Sequence, residues 1–143
     1  MLSDGEGKLE RFDMIADIWR SYRRMPQWVQ VWVAFILVPA NLAPVLFLGQ
    51  PYGIWVAVLS IGGMMPNLAI MMAERGLSKR MALPHVVVWT PLVVVLGWVL
   101  FGPVAPVGGF AVMLTVLLVV DLISLGFDYR DTVKWWRGDR AIA

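Results

Sequence analysis

The chain has 143 residues, 59% of them hydrophobic and 15% charged, with a formal net charge of +2 and no cysteine. A soluble domain carries about a quarter charged residues, so this balance excludes an ordinary water-soluble core, and without cysteine there are no disulfides, thiolate metal sites or cysteine nucleophiles. The basic pI near 9.3 comes from Lys and Arg flanking long apolar runs, which removes the case for nucleic acid as a partner.

The first element is amphipathic. Ser3 or Asp4 can cap a helix with Glu6 in its first turn. Over 8–25 the apolar residues Leu9, Phe12, Ile15, Ile18, Trp19 and Tyr22 recur at three- and four-residue spacing, with charge on the other face. That pattern predicts a helix lying in a membrane interface. The alternative for the same stripe is packing on a partner protein or on the ends of membrane spans. Pro26 then suits the first turn of a new helix.

Four apolar runs follow, at 28–48, 52–72, 82–101 and 107–127. Each is close to the roughly 20 residues needed to cross a bilayer as a helix. Pro39 and Pro44 should bend the outer half of the first run, Gly62, Gly63 and Pro66 should weaken the second, and Pro91 interrupts the third. The first and third connections are short, predicting two antiparallel hairpins. Trp28 and Trp32 fit one interfacial aromatic belt, and Tyr52, Trp55, Trp98 and Phe101 the other. In the connection 74–80, Gly76 suits the C-cap of the second helix, and Glu74 can pair with Lys79 or Arg80. The tail 128–140, with Tyr129, Val133 and Trp136 on one stripe, reads as a second short interfacial helix. The expected fold is all-α: a single polytopic membrane domain over 1–143, with no separate soluble part.

Charge sets the orientation. All twelve Lys and Arg residues fall in three groups, 8–24, 75–80 and 130–140, and the other two connections carry no charge. Positive charge is retained in the cytoplasm during insertion, so both termini and the middle loop should be cytoplasmic. The same basic collar should attract anionic lipid headgroups. The apolar run begins only near Trp28, after a long charged segment, so the first span should stay as an anchor and not be cleaved as a signal peptide. A bacterial inner (plasma) membrane suits so compact a chain.

Polar groups inside spans are costly and should face the interior. From the 1.5 Å rise per residue, Asp121, Asn67 and His85 lie roughly 9, 7 and 5 Å from the cytoplasmic ends of three different helices. Asp121 could accept from the His85 imidazole while Asn67 offers both donor and acceptor, an arrangement able to bind and release a proton near neutral pH. The competing reading is that these groups only bond one another and lock the bundle. A second polar layer of Asn41, Ser60 and Thr90 lies deeper, with Asn41 between Pro39 and Pro44. Met64, Met65, Met71 and Met72 are better read as gap-fillers than as a copper site, since only one His could join them.

No catalytic constellation, metal site or cofactor motif occurs, so no enzyme activity is expected. The spans are almost free of charge, which favours a small accessory or scaffold subunit packing against a larger membrane complex. The alternative is a minimal transporter or channel, which at this size would have to form a homo-oligomer to enclose a pathway.

Overall fold

The computed structural model describes residues 4–103 and 105–143, and the Ser3 cap lies outside them. Four helices are long and apolar enough to cross a membrane: α2 (Gln27–Phe47), α3 (Gly53–Glu74), α4 (Lys79–Phe101, opening with a 3-10 turn Lys79–Met81) and α5 (Gly108–Trp136). They are preceded by α1 (Asp4–Arg24). Among the described residues there is no strand; a single bridge joins Ser78 and Ile142.

Proline writes the shape of α2. A proline offers no N–H, so the carbonyl four residues before it loses its α-helical partner. Ahead of Pro39 the helix takes π register over Trp32–Leu37, with the Val38 N–H reaching back to the Val33 carbonyl. One α-turn, Val38–Leu42, follows, and beside Pro44 the chain tightens to 3-10 over Ala43–Phe47. The expected distortion of the outer half is therefore present, and it begins a turn earlier than the prolines themselves. By contrast α3 runs unbroken through Gly62, Gly63 and Pro66, and α4 through Pro91. Gly63 serves packing: a β-carbon there would lie 2.2 Å from the Trp89 indole nitrogen.

Consecutive long helices pack against one another, and α2 closes on α5. The interior between them is filled by Val56, Trp89, Leu92, Leu96, Leu114 and Leu117, all with 0% exposure. Outward faces carry exposed apolar side chains such as Phe35, Leu46, Val87, Val94 and Phe101. Trp28, Tyr52, Trp55 and Trp98 are exposed as well. Trp32 departs from its expected place in a belt: its indole N–H turns inward to the Ser124 hydroxyl at 3.1 Å.

The connection 75–78 is held at one end of the bundle by α1 and by the C-terminal tail. The Leu77 N–H donates to Ser21 Oγ on α1 at 2.9 Å, and the Ala143 N–H donates to the Leu77 carbonyl at 2.8 Å. Arg75 reaches Asp17 at 2.8 Å, Lys79 reaches Asp139 at 3.1 Å, and Ser78 donates to Glu74. Glu74 approaches Arg80 at 3.9 Å and does not pair with Lys79. The left-handed residue that ends α3 is Arg75 (φ 54°), one position before the expected Gly76. Gly76 is wanted for closeness: a β-carbon would meet Ile142 Cγ2 at 2.5 Å and Ser21 Oγ at 2.9 Å. All three basic groups thus gather at one end of the bundle.

Where α1 turns into α2, Gln30 is buried and acts as a bracket. Its amide donates to the Met25 carbonyl at 2.7 Å and accepts from Arg23 at 2.9 Å, while Tyr22 donates to the Gln30 carbonyl at 2.7 Å. At the other end of the chain, α5 continues nine residues beyond Phe127 as one helix. The expected tail helix is therefore the last two turns of the fourth long helix, since nothing between Asp128 and Trp136 breaks the hydrogen-bond ladder.

Candidate functional site

Side chains from all four long helices meet inside the bundle. The helix α5 provides the backbone of the arrangement. Asp121, Ser124 and Asp128 recur at spacings of three and four and so share one face. Each bonds a different neighbour.

Asp121 is fully buried and accepts from Asn41 Nδ2 on α2 at 2.8 Å. The same Asn41 nitrogen donates to the Leu37 carbonyl at 3.0 Å, at the junction of the π and α segments. The distortion of α2 thus has a consequence: it presents a carbonyl and an asparagine together opposite Asp121. Asn41 Oδ1 and Asp121 Oδ2 have no partner among the described residues.

One turn on, Ser124 accepts from Trp32. A further turn brings Asp128, whose Oδ2 lies 3.1 Å from His85 Nδ1. The other ring nitrogen, His85 Nε2, lies 2.9 Å from Asn67 Nδ2 on α3. With the amide nitrogen facing the ring, Nε2 accepts and the Nδ1 proton is donated to Asp128. The imidazole is stacked on Trp89 with ring centres 3.9 Å apart and planes 8° from parallel. Trp89 in turn donates to the Ser60 carbonyl at 3.1 Å, and Gly63 leaves room for it.

The expected trio of Asp121, His85 and Asn67 is therefore split. His85 and Asn67 are in contact, but the carboxylate on the imidazole is Asp128, and Asp121 pairs with Asn41 from the anticipated deeper layer. A helix repeat explains the exchange. Asp121 and Asp128 are seven residues apart on one face, so the shallow partner of His85 is the acid two turns nearer the basic end. Of the remaining residues, Ser60 is buried with its hydroxyl unpartnered, and Thr90 lies apart from it, 2.6 Å from the Tyr129 hydroxyl.

Asp128, Ser124, Trp32 and Trp89 were not anticipated as site residues. Asp128 lies just past the apolar run, where hydropathy places a solvated boundary. The signal available for it was the spacing 121–124–128, which is polar on one helical face. Among the described residues no group of three or more His, Cys, Asp or Glu is placed to hold a metal ion.

A polar ladder inside an apolar four-helix bundle is thus the class of structure in hand. No protein-family model, curated protein or solved structure matches this chain.

Proposed function

We propose that the protein is a small integral membrane accessory or scaffold subunit that packs against a larger membrane complex. One observation carries this reading: the axis of the bundle is occupied by Val56, Trp89, Leu92, Leu96, Leu114 and Leu117, each without exposure. A single copy so filled has no lumen for a solute, while its outward faces offer long apolar helix surfaces. Helix surfaces of this kind associate in lipid by close packing and interhelical hydrogen bonds.

In this reading the four helices form two antiparallel hairpins, with both termini and the 74–80 connection in the cytoplasm of a bacterial inner membrane. The exposed Leu9, Phe12, Ile15 and Trp19 of α1 rest in the interface, beside Arg11, Arg20 and Arg23, which meet anionic headgroups. The last turns of α5 lie at the same level.

The test is purification of the tagged full-length protein in mild detergent, with mass determination of whatever accompanies it. A larger membrane protein at fixed stoichiometry supports the accessory reading. A defined homo-oligomer without other components supports the second reading, a minimal oligomeric transporter, which the wholly buried Asp121 favours. Asp121→Asn separates the two again: a transporter loses flux at normal expression, whereas a scaffold loses assembly.

A further inference from the structure

The unpartnered oxygens of the interior carry an inference that does not depend on the scaffold reading. Buried side-chain oxygens without a hydrogen-bond partner among the described residues are Asn41 Oδ1, Ser60 Oγ, Asn67 Oδ1, Asp121 Oδ2 and Thr132 Oγ1. Two belong to α5 itself. Two more belong to residues tied to α5: Asn41 through Asp121, and Asn67 through His85 and Asp128. Buried polar atoms are nearly always satisfied, by water where protein offers nothing. These oxygens therefore mark where water can bond inside this bundle.

Thr132, Asp128, Ser124 and Asp121 follow one another at four- and three-residue steps along one face of α5. From Thr132 to Asp121 the rise is about 16 Å. Toward the other end the buried face continues as Leu117, Leu114 and Phe110, all hydrocarbon. The polar face begins at the basic end, where the Asp128 side chain keeps 14% exposure, and stops at Asp121. At that stop sits a carboxylate without exposure whose one side-chain donor is a neutral amide. Its second oxygen, Oδ2, has no partner among the described residues, which leaves it free to carry a proton.

We propose that this face is a one-ended proton path, which passes protons from the basic end of the bundle to Asp121 and stores one there. The exchange is balanced: a hydronium ion at the entrance becomes water, and the Asp121 carboxylate becomes the acid, its new proton directed from Oδ2 toward the unpartnered Asn41 Oδ1. Asp128 is the relay: it takes the proton at the entrance and passes it by water along Ser124 to Asp121. His85 positions it, holding Asp128 Oδ2 through Nδ1 at 3.1 Å while Nε2 is held by the Asn67 amide at 2.9 Å. The titratable groups on the path are Asp121, Asp128 and the neighbouring Asp131 on α5, and His85 on α4. The helix α2 contributes no charge over its whole length. On α3 Glu74 is turned to Ser78 and Arg80, and Lys79 at the start of α4 is turned to Asp139. On α1 Asp17 is held by Arg75 and Arg20. Because the path ends blind, a proton leaves by the way it came, and Asp121 follows the pH of one compartment only.

The test uses the full-length protein in liposomes, oriented by the accessibility of a tag after Ala143, with pH stepped separately inside and outside. Infrared difference spectra report the carboxylic-acid carbonyl band of Asp121, identified by its loss in Asp121→Asn and its shift in Asp121→Glu. The glutamate variant keeps the acid should the asparagine fail to fold. The band is expected to follow the pH on the side of the basic end, and to respond more slowly in His85→Gln and Thr132→Val. His85 is the only histidine, so its ring nitrogen resonances report its hold on Asp128 without assignment. A residue that stays ionised throughout, a band that follows the opposite compartment, or kinetics unchanged in both of these variants overturns the proposal.

Discussion

At Gly63 the absence of one methyl group decides how Trp89 is seated. A β-carbon would stand 2.2 Å from the indole nitrogen and 2.4 Å from Cδ1, distances that only displacement of the ring can relieve. Gly63→Ala is therefore expected to destabilise the bundle by about 1–3 kcal/mol, the usual range for overpacking. Thermal unfolding in detergent checks this, and His85 ring resonances should shift with the stacked indole. Asn41 poses the complementary case. Asn41→Ala removes the side-chain donor to a fully buried carboxyl, which should cost about 1–3 kcal/mol. Thr90→Val breaks a bond to an exposed tyrosine and should stay within about 0.5 kcal/mol. Equal losses in the two variants would refute the distinction between them. The polar residues inside the spans were legible as a set from sequence, because each interrupts an apolar run. Their partners were not, because a rise along an axis gives depth and says little about rotation. Asp121 and Asp128 differ by two turns, and only the packing of α4 on α5 decides which one meets His85.

Elements show where local chemistry sufficed and where it did not. The number and approximate limits of the apolar helices follow from hydropathy alone. That Pro39 and Pro44 distort α2 while Pro66 and Pro91 leave α3 and α4 continuous does not, since neighbouring helices settle whether a freed carbonyl is accommodated in place. The C-terminal segment 137–143 is a further case, because the contacts that dock its end are with residues far away in sequence. The Ala143 N–H docks on Leu77, and Lys79 beside Asp139 holds that carboxyl below the usual carboxylate range through their hydrogen bond. A depressed native value means that the contribution is present above the unfolded carboxylate value of about 4 and is lost as pH falls through the native one. Acidification below that window is expected to release the tail, read as faster amide exchange at Ala143 and Leu77. In Lys79→Met the native value moves toward the unfolded one, with Lys134 and the Ala141 backbone still lowering it. The tail should therefore be looser at neutral pH, and its exchange should respond less to this carboxyl. An acid response that survived Lys79→Met unchanged would assign the docking to some other group.

For the whole molecule, the gathering of three basic groups at one end makes a claim about the membrane that can be read directly. The structure ties Asp17 and Ser21 of α1, the connection 75–78 and the tail at Asp139 and Ala143 to one another, so these segments must share a side. Gln50 and Ala105 lie in the two uncharged connections, which four alternating crossings would send to the opposite side. The chain contains no cysteine, so single cysteines can be placed without background. Gly7→Cys, Arg80→Cys and Gly138→Cys should react with a membrane-impermeant maleimide only in inverted vesicles, and Gln50→Cys and Ala105→Cys only in right-side-out cells. Neither glycine position has a neighbour within 4 Å of a β-carbon, though Gly138 has φ +105° and some local strain is expected there. Labelling of Arg80→Cys together with Gln50→Cys from one side would show that α3 does not cross, and would undo the four-crossing arrangement. The opposite polarity, with the basic end labelled from outside, would leave the bundle intact and reverse the compartment that Asp121 faces. The orientation experiment thus also states which pH the blind path reports.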